Sequence, residues 1–231
     1  MARADRTERS GTRADRRVGR RRRPRPTVVV LVRHGTTDTT GRELPGRAPG
    51  LHLSEAGRRQ ADGAAKRLAE LFPAVAAVYS SPLERTRETA APIADTTGNE
   101  VVIDDGLVEL DVGEWTGIEL KVARKRKEWT GIQRYPSGFT FPGGESFLAM
   151  QGRMVRAIDG MRAAHPGEVV VAVSHADPIR AVVAHALGTH LDLFQRVVVS
   201  PCSLTAVAYG DEGPTVLTVN DTGGTGALVP S

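Results

Sequence analysis

The 231-residue chain has a single cysteine, Cys202. A lone cysteine excludes an internal disulfide and any zinc cluster built from several thiolates. Long apolar runs are missing too. No stretch approaches the ~20 apolar residues that a membrane-spanning helix needs. The run Val28–Val32 is interrupted at Arg33 and is too short for the apolar region of a secretion signal. The cytoplasm is therefore the expected location. Acidic residues are scarce at the start of the chain, where residues 1–26 hold eleven arginines against Asp5, Glu8 and Asp15, a net of +8. The whole chain carries +4, so the remainder is at −4 and the basic excess belongs to this tail.

The tail has no apolar periodicity and repeats "RADR" at 3–6 and 13–16, which predicts disorder over residues 1–26. Its arginines suit phosphate contacts with nucleic acid. The plainer reading is preferred: a solvated extension, or a start codon placed upstream of the fold.

Beyond residue 26 the chain is ordinary globular sequence, 40% hydrophobic and 25% charged over the whole length. "TVVVLV" at 27–32 and "EVVVAVS" at 168–174 read as buried strands, and "AVAAVYS" at 74–80 and "EVVIDD" at 100–105 as further strands. Helices are expected over 53–72 with Ser54 as N-cap, over 145–165, and over 177–187 up to Gly188. Another is expected to start at Ser81, with Pro82 in its first turn and Glu84 completing a capping box, and to kink or end at Pro92. The stretch 106–144 is irregular except for a basic helical piece at 119–129, and "SLTAVAY" and "TVLTVN" form a closing hairpin. Alternating strands and helices predict an α/β fold: three layers, α/β/α, with a mostly parallel central sheet and a C-terminal antiparallel hairpin.

Both buried strands end on histidine, "VVVLVRHG" at His34 and "VVVAVSHA" at His175. Ligands of open α/β sheets bind outside the carboxyl ends of the strands. A third strand leads into a helix whose first turns carry Arg85 and Arg87. One rim thus gathers two histidines with Arg33 and Arg85. A phosphoryl group in transfer spreads negative charge over its equatorial oxygens and calls for fixed positive donors. Arginine forks bind such oxygens and keep their charge. A histidine with one ring nitrogen held deprotonated can act as nucleophile, and Gly35 lets the backbone pass close by.

"LVRHGTTDTTG", "LSEAGRRQA", "VYSSPLERTRETA", "LVELDVGEWTG", "FPGGESF" and "VVAVSHADPIRA" occur in that order over about residues 28–221. In this the chain resembles the histidine phosphatase superfamily, which includes phosphoglycerate mutases. The resemblance implies a phosphoglycerate mutase-like fold and three segments: a tail at 1–26, a catalytic domain at 27–222 and a flexible C-terminus at 223–231. It implies that His34 attacks phosphorus, that Arg33 and Arg85 hold the phosphoryl oxygens, and that His175 adds a hydrogen bond. Thr37 and Gly35 fall where the phosphate pocket is lined. Glu109 matches the proton donor to the leaving oxygen; on spacing alone Asp111 and Glu114 are rivals. No cofactor or metal is implied, and arginines beside His34–Asp38 and His175–Asp177 argue against a divalent cation. One departure is Ala176, where relatives often carry glycine.

The expected substrate is a small phosphate ester. The connection from Glu109 to "FPGGES" is about thirty residues, shorter than the insertions that enclose the intermediate in mutases, which favours hydrolysis through a phosphohistidine. A phosphomutase and a catalytically weak binding module are the alternatives. Arg87, His52, His165, His185 and His190 read as surface or structural residues, Trp115 as packing beneath a loop, and Glu145 as a charge opening the long helix. The run 121–128 reads as a solvated basic face. The hairpin edge at 204–220 is a candidate pairing surface for a homodimer.

Overall fold

The computed structural model describes residues 24–224. Most of the arginine-rich tail, and residues 225–231, therefore lie outside the described residues. Strand β1 (Thr27–Arg33) stands at the centre of a six-stranded sheet with β3 (Ala77–Ser80), β4 (Val101–Ile103), β6 (Val169–Ser174), β7 (Leu204–Gly210) and β8 (Gly213–Asp221). The order is β4-β3-β6-β1-β7-β8. The first four of these run parallel, and β7 and β8 are antiparallel additions, as the α/β reading with a closing hairpin requires.

Alternation along the strands makes the three layers. Val29 and Leu31 of β1, with Val170 and Ala172 of β6, face one helix layer, formed by α5 (Phe147–Ala164) and α6 (Ala176–Ala186). Val30, Val32, Val171 and Val173 face the opposite layer of α1 (Glu55–Leu71) and α2 (Glu84–Thr97). Both strands are therefore covered on both faces, which is why they read as continuous apolar runs rather than alternating ones. Among the described residues, no helix is long and apolar enough to cross a membrane.

Several local expectations change. Ser54 does cap α1, accepting from the Gly57 N–H at 3.1 Å. Ser81 does not cap α2: the N-cap is Leu83 and has no side-chain cap bond. Pro92 does not end α2, which continues to Thr97. Burial of Ile93 and Ala94 against the sheet holds the turn after the proline, and Gly98, at φ 69°, closes the helix in the left-handed region. The basic piece at 119–129 is not one helix. Only α3 (Leu120–Ala123) and then α4 (Trp129–Arg134) are helical, after the short strand β5 (Ile118–Glu119). Tertiary anchors override the local propensity there. Ala123 and Ile132 are buried with Trp115, Phe141 and Phe147 in a separate aromatic cluster, and the Arg126 guanidinium lies 4.6 Å from the centre of the Trp115 ring. β5 pairs with β2 (Glu43–Leu44), so the irregular stretch 106–144 is tied to the loop after β1 in a small sheet of its own.

Candidate active site

The parallel register aligns the chemistry. Arg33 stands opposite Ser174, and the His34 N–H donates to the Ser174 carbonyl at 3.0 Å, so the residues just past β1 and β6 lie side by side. β3 ends at the same level, with the Ser81 N–H bound to the Val173 carbonyl at 3.0 Å. His34, His175 and Ser81 thereby meet at the carboxyl rim of three adjacent strands. The imidazoles of His34 and His175 pack edge to face, with centroids 5.2 Å apart.

His34 is almost fully buried. Its Nδ1 lies 2.7 Å from the Gly35 carbonyl. A carbonyl can only accept, so Nδ1 carries the proton and Nε2 presents a lone pair. Burial, with Arg85 and Arg33 beside it, holds the ring well below the usual histidine range, which keeps Nε2 unprotonated.

Arg85 is fully buried at the start of α2. Its Nη2 donates to the Gly46 carbonyl at 2.9 Å, while Nε and Nη1 have no partner among the described residues. Arg33 is anchored by Nη1 on the Val199 carbonyl at 2.7 Å, and its Nε is likewise buried and unpartnered. Buried donors without acceptors are costly unless something meets them. Two guanidinium groups with spare donors beside an unprotonated imidazole form a cradle for an oxyanion.

Glu109 enters from the loop after β4. Its Oε2 stands 3.8 Å from His175 Nδ1, and its Oε1 accepts from the Leu110 N–H at 2.9 Å. Burial, reinforced by the charge of Asp177, raises this carboxyl from 4.5 to about 7 against the opposing pull of Arg85. A carboxyl poised there can give up or take a proton near neutrality. Of its rivals on spacing, Asp111 turns to the Gly113 N–H at 2.9 Å and to Arg47 at 3.7 Å, and Glu114 is exposed.

Thr37 is buried beside this rim, but its hydroxyl engages Thr39 and Thr40, at 3.3 and 3.0 Å. Gly35 does not adopt a left-handed conformation; what it permits is contact with α1. A Cβ there would lie 2.6 Å from the Gly57 carbonyl oxygen, and one on Gly57 would lie 2.1 Å from the Thr36 oxygen. Two glycines thus let the loop after His34 press against the first turn of α1. Arg87 is exposed and lines a surface groove of about 510 Å³ with His52, Glu84 and Ile103, apart from this cradle.

Sequence reasoning gave Ser81 and Glu145 other uses and passed over Arg47 and Arg153. Ser81 bonds His175 Nε2 at 2.9 Å instead of capping a helix. Arg47, Glu145 and Arg153 form a partly buried ion network around the Glu109 loop: Glu145 receives Arg47 at 2.9 Å and Arg153 at 2.9 and 3.0 Å. Ser146 caps α5, so Glu145 is free for that purpose. Among the described residues, no three histidine, cysteine or acidic side chains cluster as metal ligands.

The model of the histidine phosphatase superfamily (branch 1) matches residues 29–222. A bifunctional protein of Mycobacterium tuberculosis is 37% identical over 206 residues, covering 86% of this chain and 55% of that protein. The chain thus spans about half the length of this relative. Phosphoserine phosphatase 1 of Hydrogenobacter thermophilus is 31% identical over 199 residues, covering 84% of this chain and 92% of the enzyme. The solved structure of a mycobacterial glucosyl-3-phosphoglycerate phosphatase complexed with VO3 superposes with a TM-score of 0.76 at 25% identity, covering 84% of this chain and 99% of that one.

Proposed function

The chain belongs to the histidine phosphatase superfamily, and on that premise we propose that residues 27–222 hydrolyse a small phosphate monoester through a phosphohistidine at His34. The observation that carries this reading is the His34 Nδ1 bond to the Gly35 carbonyl, at 2.7 Å, which leaves Nε2 free beneath two arginines with spare donors.

The Nε2 lone pair attacks phosphorus while the P–O bond to the leaving group breaks. Glu109 gives its proton to the departing oxygen, which leaves as an alcohol. Arg33, Arg85 and His175 hold the equatorial oxygens as charge builds on them. Water then yields a proton to the Glu109 carboxylate and attacks phosphorus. The P–N bond breaks, its electrons return to Nε2, and inorganic phosphate leaves. Hydrolysis rather than mutase chemistry is supported by the cover: α3 and α4 are short and pinned to their own aromatic cluster, with no long insertion to exclude water.

The test is trapping. A ³²P-labelled ester, quenched in alkali, is expected to leave label on the protein that acid removes, as a phosphoramidate does. His34→Ala is expected to lose both the label and nearly all turnover. Substantial turnover by that variant, or label on another residue, would overturn the nucleophile. Phosphate release measured against phosphoglycerate interconversion, with and without a bisphosphate primer, separates hydrolase from mutase.

A further inference from the structure

Ser81 is held more firmly than a surface cap would be. It is fully buried, its N–H is bound to Val173, and its carbonyl accepts from Ser80 Oγ at 2.8 Å and from Thr86 Oγ1 at 2.9 Å. The backbone has no freedom to swing the side chain elsewhere. Its Oγ has one partner among the described residues, His175 Nε2 at 2.9 Å.

That pair has two proton arrangements. In one, Nε2–H donates to Ser81 Oγ. The buried serine proton then has no acceptor, and the bare lone pair of Nδ1 faces Glu109 Oε2 at 3.8 Å. In the other, the serine O–H donates to Nε2, and Nδ1 bears a hydrogen that faces Glu109 Oε2. Each arrangement leaves one donor of the pair unmet, so Glu109 decides: its carboxylate oxygen attracts an N–H and repels a bare nitrogen lone pair, and the second arrangement is favoured. The buried Nδ1 has no protein hydrogen-bond partner among the described residues, so its N–H is free for an oxyanion in the cradle.

We propose that Ser81 is a positioning residue that fixes the neutral Nδ1–H tautomer of His175, turning that ring into a hydrogen-bond donor for the phosphoryl oxygens. Burial, with Arg85 and His34 alongside, keeps the His175 ring uncharged, so the choice of tautomer decides whether it donates or accepts. His34 and His175, which look equivalent at the ends of twin strands, are thus divided by their second partners. A carbonyl makes His34 present Nε2 as lone pair, and a hydroxyl makes His175 present Nδ1 as donor. The kinetic part of this proposal rests on the phosphatase reading above; the tautomer itself does not.

The experiment is ¹⁵N NMR of the imidazoles in the labelled full-length protein, in phosphate-free buffer at pH 7. The His175 resonances are identified by their loss in His175→Gln. The expected result is an unprotonated, pyridine-type Nε2 and a protonated Nδ1. A protonated Nε2 would overturn the proposal, whatever the variants do. In Ser81→Ala the two nitrogen shifts are expected to converge as the tautomers mix. The kcat on an alkyl phosphate is expected to fall about tenfold, the scale of one lost hydrogen bond. Ser81→Thr, which restores a hydroxyl, is expected to restore both. Unchanged shifts and kcat in Ser81→Ala would also overturn it. Full turnover by His34→Ala would remove the phosphohistidine reading and leave the tautomer result standing.

Discussion

Arg47 and Arg153 donate to the same carbonyl oxygen, that of Glu109, from Nε at 2.8 Å and from Nη2 at 3.0 Å. Arg153 also holds the carbonyls of Gly106 at 2.9 Å and Val108 at 2.6 Å, so one guanidinium grips three carbonyls of the loop that carries the acid. Glu145 closes the network by pairing with both arginines. The position of Glu109 is thus set from beneath by charged hydrogen bonds rather than by the loop itself.

Arg153→Lys keeps the charge and loses the planar fork. We expect kcat on alkyl phosphates to fall ten- to a hundredfold, on the order of what a misplaced catalytic group costs. Turnover of an activated aryl phosphate, which needs little help at its leaving oxygen, should change far less. Equal losses on both esters would show that the clamp does not act through the proton donor.

Glu145→Ala leaves Arg47 and Arg153 without their shared carboxylate in a largely buried setting. Breaking such a pair from one side costs about 3–5 kcal/mol when fully buried, and a loss of about 2–4 kcal/mol in urea unfolding is expected for this partly exposed network. A loss below about 0.5 kcal/mol would mean that water satisfies the arginines.

Glu109→Gln removes the transferable proton. A fall of about a hundredfold or more is expected for alkyl esters, within the usual range for a general acid. With the carboxyl raised to about 7, wild-type kcat/KM on these esters should decline as pH rises through about 7. That limb should vanish in the variant. Persistence of the limb would move the titrating acid elsewhere.

The same carboxyl bears on stability. Its folded value, about 7, lies above its ordinary 4.5, so the folded state binds more protons between those limits. Stability from this group is therefore lost as pH rises from about 4.5 to about 7. His34 and His175 act in the opposite sense. Their folded values lie well below 6.5, so their contribution is lost as pH falls below 6.5. The unfolding midpoint of Glu109→Gln should gain on the wild type from pH 5 to about pH 7 and level off above that. A constant difference would show that the buried carboxylate ionises without cost.

Gly57→Ala places a methyl 2.1 Å from the Thr36 oxygen, against backbone that cannot turn aside. Overpacking of this kind costs typically 1–3 kcal/mol, and a loss of about 3 kcal/mol is expected, with reduced turnover because the loop after His34 shifts. Unchanged unfolding would show that α1 can retreat from the loop.

Strands are legible in the sequence wherever one force dominates. Val29–Val32 and Val170–Val173 are fully buried, and no surface strand tolerates such a run. Pattern is weaker where two uses compete for one residue. Ser81 before Pro82 reads as a helix cap because local bonding is all that a linear pattern displays. Glu145 beside a helix start reads as a dipole partner for the same reason. Both have long-range partners, 94 residues away for Ser81 and 98 for Arg47 to Glu145, which propensity cannot anticipate. The basic segment at 119–129 reads as one helix until Trp115 and the aromatic cluster claim Ala123, Arg126 and Trp129.

That two apolar strands end in His34 and His175 is written in the linear chain, because β-branched runs of this length belong in a covered sheet. Folding in three dimensions decides the rest: those strands are neighbours in register, one histidine rests on a carbonyl and the other on a hydroxyl, and two arginines hold Glu109 between them. These are contacts across the sheet and between loops. They depend on which groups are left unpaired once the core has closed, and no short stretch of chain can specify that.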